Sequence, residues 1–429
     1  MTRLSADQPR SHARHHRPMV GRALLRAVEE GIESDGCALL VGPYEVGKTE
    51  LALEIQRRYG GDGLYFNARK QGDRHGLAGD NGAASNSAGK LIVVDEIHDF
   101  IDALDLIHAE IDAGRYQGKT VGRFLLLGSL SLEAERLAAT KLGTRARVYR
   151  LSPIDLLELS ERHPDTEDAR TLPPIEPEAT TPIHRSSIAI SLETLWLRGG
   201  FPASLLANRD DTSYAWRETY LNALCARGYS HLDPALAMSS VRNFLERIAA
   251  LQGETLDVNS LPRAQRPCLA YFEDLGLIRQ LRPWFSNQGK RLEKPHKVYI
   301  RDSGLLHALL GRRSHKEIRA SDTIYGHSWE GFCVENLIAA AGSQVMPYFY
   351  RSDAGEEIDL VLDFPGGIRW ALEMKGPNTK VTRGFEEACS AVGAVRKFVV
   401  QPVPESHDQA AYRVMTLLDA MIAARLGPS

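Results

Sequence analysis

The chain has 429 residues, 43% apolar and 25% charged, with a formal net charge of -3. That length predicts two or three domains with ample chain for their cores. The charge excludes a globally basic nucleic-acid binder but allows a local basic patch.

The charged N-terminus lacks an apolar h-region, and His12, His15 and His16 among Arg14 and Arg17 read as a solvated arm. The cysteines Cys37, Cys225, Cys268, Cys333 and Cys389 form no C-x-x-C pair. Neither a disulfide framework nor a zinc site is therefore indicated, and a cytoplasmic location is expected. No apolar run approaches the ~20 residues of a membrane span, so no membrane partner is expected.

Residues 38–41 are an apolar run that predicts a buried strand. Gly42-Pro43-Tyr44-Glu45-Val46-Gly47-Lys48-Thr49 follows, and Glu50 opens a run of helix formers to Tyr59. The octapeptide fits G-x-x-x-x-G-K-[ST]. Its backbone N–H groups and the helix N-terminus would wrap phosphates, Lys48 would reach the β- and γ-phosphates, and Thr49 would ligate Mg²⁺. Residues 91–94 predict a second buried strand ending in Asp95-Glu96. Asp95 would hold Mg²⁺ through water, and Glu96 would activate the attacking water. Residues 68–90, rich in Gly, Asn and Ser, read as unstructured. Residues 123–127 predict another strand, and Ser129 at its end is a candidate γ-phosphate sensor, or simply a small turn residue. Residues 161–187, rich in Pro, Thr and acids, read as a linker or insertion.

From 191 to 237 the pattern is helical, broken at Arg198-Gly199-Gly200-Phe201-Pro202. Helices are predicted over 241–251 and 268–277, then a strand pair between 277 and 300. This order suggests a winged helix. Arg279, Arg282, Lys290, Arg291, Lys294, Lys297 and Arg301 lie in that segment with Trp284, Phe285 and Tyr299 interleaved. On a winged helix they would contact phosphates and stack on bases, the alternative being a solvated hairpin face.

Residues 357–364 and 368–375 alternate polar and apolar around Pro365-Gly366-Gly367, a hairpin signal. With a three-residue loop Phe364 faces Ile368 and Asp359 faces Glu373, with Lys375 on the same face. Ile358, Leu360, Leu362, Phe364, Trp370, Leu372 and Met374 would turn to the core. Asp359…Glu373-x-Lys375 has the form of a PD-(D/E)XK nuclease site, in which carboxylates hold Mg²⁺ and Lys activates water. The same residues would also suit a solvated face of cross-strand ion pairs.

The motifs at 42–49, 94–97, 123–129, 198–202, 297–305 and 329–332 resemble, in order, those of bacterial and archaeal AAA+ ATPases that carry a C-terminal domain of unknown function. The resemblance implies an α/β fold: a P-loop, AAA+-like parallel-sheet ATPase with a helical lid, a winged helix and a PD-(D/E)XK-like α/β domain. The corresponding spans are 1–160 for the core with its arm, 161–190 for the linker, 191–237 for the lid, 238–315 for the winged helix and 316–429 for the end domain. It further implies Arg145 as an arginine finger for a neighbouring subunit and Arg198 as the lid sensor. Glu330, in Gly326-x-x-x-Glu330, would be the helix carboxylate of the metal site in preference to Glu335. Glu45, His98 and Thr144 depart from the Gln, Gln and Gly usual in the family.

ATP and Mg²⁺ are the expected cofactors. Nucleic acid, DNA first, is the expected partner, and a homo-oligomer is allowed. The alternative is an ATP-dependent switch whose non-catalytic C-terminal domain binds a protein.

Overall fold

The computed structural model describes residues 20–60, 63–78, 89–116, 123–129, 131–160, 190–232, 238–285, 295–377 and 381–428. The expected arm, the linker at 161–187 and the basic residues Lys290, Arg291 and Lys294 lie outside them.

The first unit is a sheet of strands β1 (Cys37–Val41), β2 (Leu64–Asn67), β3 (Leu91–Asp95), β4 (Arg123–Gly128) and β5 (Ala146–Arg150), in the order β2-β3-β4-β1-β5. Every pairing is parallel. Parallel sheets are covered on both faces, which is why these strands read as unbroken apolar runs. Alternate residues part accordingly. Ala38, Leu40, Val93 and Leu125 pack with Val28, Ile32, Leu51 and Ile55 of helices Leu25–Asp35 and Lys48–Arg58. Leu39, Val41, Ile92 and Leu126 pack with Leu77, Ile107, Ile111 and Ala138 on the other side.

One expectation fails here. Gln71–Ala78 is a helix within the stretch read as unstructured. Burial of Leu77 against the sheet, and the Asp73 carboxylate accepting Asn67 N–H at 2.8 Å, override its weak local propensity.

Helices Leu192–Arg198, Pro202–Leu205 and Asp210–His231 form the next segment. Helix Met238–Ala250, strand β6 (Thr255–Leu256), helix Arg266–Asp274 and strands β7 (Ile278–Leu281) and β8 (His296–Ile300) follow, with antiparallel sheet order β6-β8-β7. The second helix stops short of Leu277 because Gly276 turns the chain at φ +70°. The glycines at the 198–202 break interlock with the segment after β8. A Cβ on Gly199 would stand 2.1 Å from Asp302 Oδ1, and one on Gly304 2.1 Å from Arg198 O. Gly200 N–H donates to Asp302 Oδ2 at 2.8 Å.

The last sheet holds β9 (Met346–Arg351), β10 (Glu357–Phe364), β11 (Ile368–Met374), β12 (Arg396–Val400), β13 (His407–Asp408) and β14 (Arg413–Met415), ordered β13-β14-β12-β11-β10-β9. Phe364 pairs with Ile368 and Leu360 with Leu372 across the three-residue loop, as the alternation predicts. Leu360, Leu362, Trp370 and Leu372 pack against helix Asp322–Ala341 and helix Leu417–Leu426. Ile358 does not join them. A register shift against β9 between Ile358 and Val361 turns it to the opposite core, under Phe385 of helix Arg383–Val392. The five cysteines are buried and free. No helix among the described residues is long and apolar enough to cross a membrane.

Candidate functional site

The phosphate-loop residues are held by backbone fit. A Cβ on Gly42 would lie 2.4 Å from Leu151 O, so only glycine passes there. Gly47, at φ +104°, opens helix Lys48–Arg58, and Glu45 also adopts a left-handed φ of +59°. For a non-glycine residue that conformation costs about 1 kcal/mol. Lys48 folds over the loop and donates to Gly42 O at 2.9 Å and Pro43 O at 2.7 Å. Burial lowers its ammonium to about 8, against the pull of Glu96 and Asp95. Glu50 is exposed in the helix's first turn.

Thr49 Oγ1 donates to Asp95 Oδ2 at 3.1 Å, and Tyr65 OH donates to the same oxygen. Burial, then this bond, raises the Tyr65 phenol. Asp95 Oδ1 accepts Glu96 N–H at 2.8 Å. One strand away, buried Ser129 places Oγ 3.5 Å from Glu96 Oε2. Arg69 Nη2 and His98 Nε2 each approach that oxygen to 3.4 Å, and Arg69 also pairs with Asp99 at 2.9 Å. Glu96, His98 and Asp99 hold ligand atoms within 4.8 Å of one another. Arg69 already pairs with both carboxylates, so the group reads as a frame for Glu96. Thr49 and Asp95 offer the hard oxygen pair that suits Mg²⁺.

The loop is also gripped from outside. Tyr220 OH donates to Tyr44 O at 2.9 Å, and the Arg227 guanidinium lies 3.9 Å from the Tyr44 ring centre. Pro43 Cγ would lie 3.5 Å from a Cβ on Gly276. Arg22 donates to Val46 O at 3.0 Å and to Glu158 at 3.0 Å.

Two arginines stand elsewhere. Arg145 makes a bidentate pair with Asp112 at 2.6 and 2.9 Å. It precedes Ala146, which pairs with Cys37, so it lies a strand's length from the loop that follows Val41. Arg198 pairs with Asp210 at 2.7 Å and donates to Leu205 O and Ala207 O. From the helical segment, Arg227 is the arginine that reaches the loop.

In the end domain Asp359 and Glu373 are 7% and 5% exposed, so they line a buried pocket and not the alternative, a solvated face. Burial is the main force raising both carboxyls, with Glu330 adding to it at Asp359, and Asp359 at Glu373. Glu373 Oε1 holds Lys375 at 2.6 Å. Asp359 Oδ2 accepts Met374 N–H at 2.9 Å. Glu330 Oε1 accepts from Lys297 at 2.9 Å and from Tyr299 OH at 2.7 Å. Glu335, in contrast, turns away to Arg279 and Arg301. Among the described residues the 4.8 Å ligand spacing is met by Glu96, His98 and Asp99, not by Glu330, Asp359 and Glu373. With Glu330 and Glu373 each tied to a lysine, the end-domain set as held does not fit a divalent cation.

The basic segment is corrected in the same way. Arg279 and Arg301 are consumed by Glu335, and Lys297 by the pocket. Tyr299 and Trp284 are 0% and 7% exposed, so neither offers a stacking face. Arg282 remains exposed.

Residues 34–160 match a family model described as an AAA domain, 190–316 a domain of unknown function (DUF8612) and 325–418 another (DUF4143). The chain therefore carries an AAA domain followed by a C-terminal domain of unknown function. Uncharacterized proteins of Mycobacterium tuberculosis and Mycobacterium bovis are each 29% identical to this chain over 372 residues, 85% of this chain and 76% of theirs. A Walker-type ATPase of Pyrococcus abyssi is 15% identical, covering 69% of this chain and 99% of its own, at a TM-score of 0.43. The Aeropyrum pernix ORC1 protein, solved with DNA, is 14% identical over 67% of this chain and 91% of its own, at 0.29. The Thermotoga maritima RuvB Holliday junction branch migration motor is 17% identical over 60% and 87%, at 0.29.

The sequence alone did not point to Arg22, Tyr65, Arg69 and Arg227. None belongs to a local motif, and each reaches the loop or its carboxylates only through the fold. Arg69, two residues past β2, had the best signal, since residues that follow parallel strands face the ligand crevice.

Proposed function

We propose that this ATPase works as a Mg-ATP-driven switch that binds nucleic acid through its middle module and does not cut it. Thr49 and Asp95 hold the metal, Lys48 draws the phosphates, and Glu96 activates water with Ser129 beside it. The observation that carries the switch is the grip on Tyr44 by Tyr220 and Arg227, with Gly276 against Pro43. Any loop rearrangement around a nucleotide acts first on the lid helix Asp210–His231 and on the turn into β7.

The helix–strand–helix–hairpin order of 238–300 supports a winged helix, and exposed Arg282 with Lys290, Arg291 and Lys294 supplies its positive charge. The helix–three-strand–helix–strand order of 322–400 supports a PD-(D/E)XK-like domain whose carboxylates are engaged as ion pairs. A protein partner is the second reading, favoured by the loss of Arg279, Lys297 and Arg301 to internal pairs. The test offers duplex and single-stranded DNA and RNA to the full chain at low salt, with and without Mg-ATP. Binding that changes with ATP, without cleavage, is expected. No binding at low salt selects the protein partner, and metal-dependent cleavage overturns the non-cutting reading.

A further inference from the structure

Lys297 is the group that the nucleotide site and the expected basic surface both leave unexplained. It sits on β8 of the middle module, yet its side chain, 2% exposed, ends in the end domain. Its Nζ lies 2.9 Å from Glu330, 2.7 Å from Glu357 and 3.6 Å from Asp359. These carboxylates come from two elements, helix Asp322–Ala341 and β10. A buried ammonium surrounded by carboxylates is costly to desolvate and costlier still to leave unpaired. Beside it, Glu373 Oε2 is buried with no hydrogen-bond partner. The pocket thus has carboxylate oxygen to spare once the lysine is set aside.

We propose that Lys297 is the built-in cation of this pocket, an autoinhibitory contact in which the middle module occupies the place a hard divalent cation would take between Glu330 and Asp359. Docking of β8 and cation binding are mutually exclusive. With Lys297 seated, its charge fixes β8 to the end domain, and Tyr299 OH on Glu330, two residues along the same strand, reinforces the register. With it withdrawn, the Glu330 and Asp359 oxygens it now holds apart, with the free oxygen of Glu373, can close on a hard cation such as Mg²⁺ or Mn²⁺.

The test is Mn²⁺ binding to the nucleotide-free full chain, followed by electron paramagnetic resonance and calorimetry, with Asp95→Asn as background so that the nucleotide site lacks its metal carboxylate. Lys297→Met keeps the apolar stem and removes the charge. It is expected to gain a Mn²⁺ site that the parent lacks, and adding Asp359→Asn is expected to abolish that gain. Should Lys297→Met fail to fold, Lys297→Met with Glu357→Gln removes one charge of each sign and leaves Glu330, Asp359 and Glu373 for the metal. A parent that already binds Mn²⁺ in an Asp359-dependent way overturns the proposal. So does a folded variant, single or double, that gains no site.

Discussion

Thr49 Oγ1 donates to Asp95 Oδ2 at 3.1 Å, joining the first turn of the loop helix to the end of β3, two strands away in the sheet. This bond places the two oxygens that would share Mg²⁺, and it sets the first prediction. Thr49→Ala is expected to keep the fold and lose Mg-dependent nucleotide affinity, and Lys48→Ala to lose binding altogether. A ligand at ~100 times its Kd stabilises by about 2.7 kcal/mol, so parent protein shifts its melting temperature with Mg-ATP and the variants do not. Equal shifts in parent and Lys48→Ala would remove the loop from the nucleotide site.

The Glu96 frame makes a separate claim about hydrolysis. Glu96→Gln is expected to bind Mg-ATP normally and to lose about 10²–10⁴ in kcat. Arg69→Ala frees the same carboxylate from its guanidinium and should lower kcat with little change in nucleotide Kd. Steady-state turnover beside equilibrium binding separates the two effects. An Arg69→Ala variant with parental kcat assigns the arginine to Asp99 alone.

Three arginines are to be told apart by what each variant loses. Arg227→Ala is expected to impair turnover, because its guanidinium stands over Tyr44 in the loop. Arg198→Ala is expected to cost about 1–2 kcal/mol of stability through its carbonyl and Asp210 bonds, discounted for the exposure of Asp210, and to leave turnover per folded molecule nearly intact. Arg145 serves a neighbour only if its Asp112 pair opens. In that case turnover rises with protein concentration, and Arg145→Ala loses ~10³–10⁵ in rate. Turnover independent of concentration would exclude the finger.

Local order made the loop, the Asp95-Glu96 strand end and the 357–375 hairpin readable, because each is a contiguous pattern with one compatible geometry. The rest depended on what packed against what. Residues 71–78 looked like a loop until Leu77 found the sheet. Arg198 stood in a motif, but its glycines exist to admit Asp302, whereas Arg227 had no motif and reached the loop through the length of its helix. Lys297, Arg279 and Arg301 read as a basic surface because nothing local announced that Glu330 and Glu335, five positions apart on one helix, would each collect them. The bulge that turned Ile358 away is set by β9, not by the alternation of β10.

Glu335 yields a pH prediction. Burial alone would raise its carboxyl, but Arg279 and Arg301 outweigh burial and bring it to about 2, from an ordinary 4.5. A depressed carboxylate contributes stability that is fully present above the unfolded value and is lost as pH falls through the folded one. The joint between β7, Arg301 and helix Asp322–Ala341 therefore weakens from about pH 4.5 down to about 2. At neutral pH the gain is at most about 3–4 kcal/mol, since each pKa unit is worth about 1.4 kcal/mol. Glu335→Gln should be less stable at pH 7, and its difference from parent should shrink across that acid window in denaturant titrations. A difference that stays constant with pH would mean that shape rather than charge holds the joint.

Salt dependence decides between the two partners. Each phosphate neutralised on duplex DNA contributes about -0.9 to the slope of log K against log salt. Arg282 is exposed, and Lys290, Arg291 and Lys294 follow it in the sequence, so a slope of roughly -2 to -4 is expected for a complex that engages most of these four cations. Replacing Lys290, Arg291 and Lys294 by Ala should flatten the slope and weaken every sequence alike, because phosphate contacts position without specifying. Replacing Arg279 or Arg301 should instead destabilise the fold, since each would leave Glu335 short of a partner in a buried site. If Arg279→Ala flattens the slope at unchanged stability, the Glu335 pair opens in solution and the arginine belongs to the nucleic-acid surface after all.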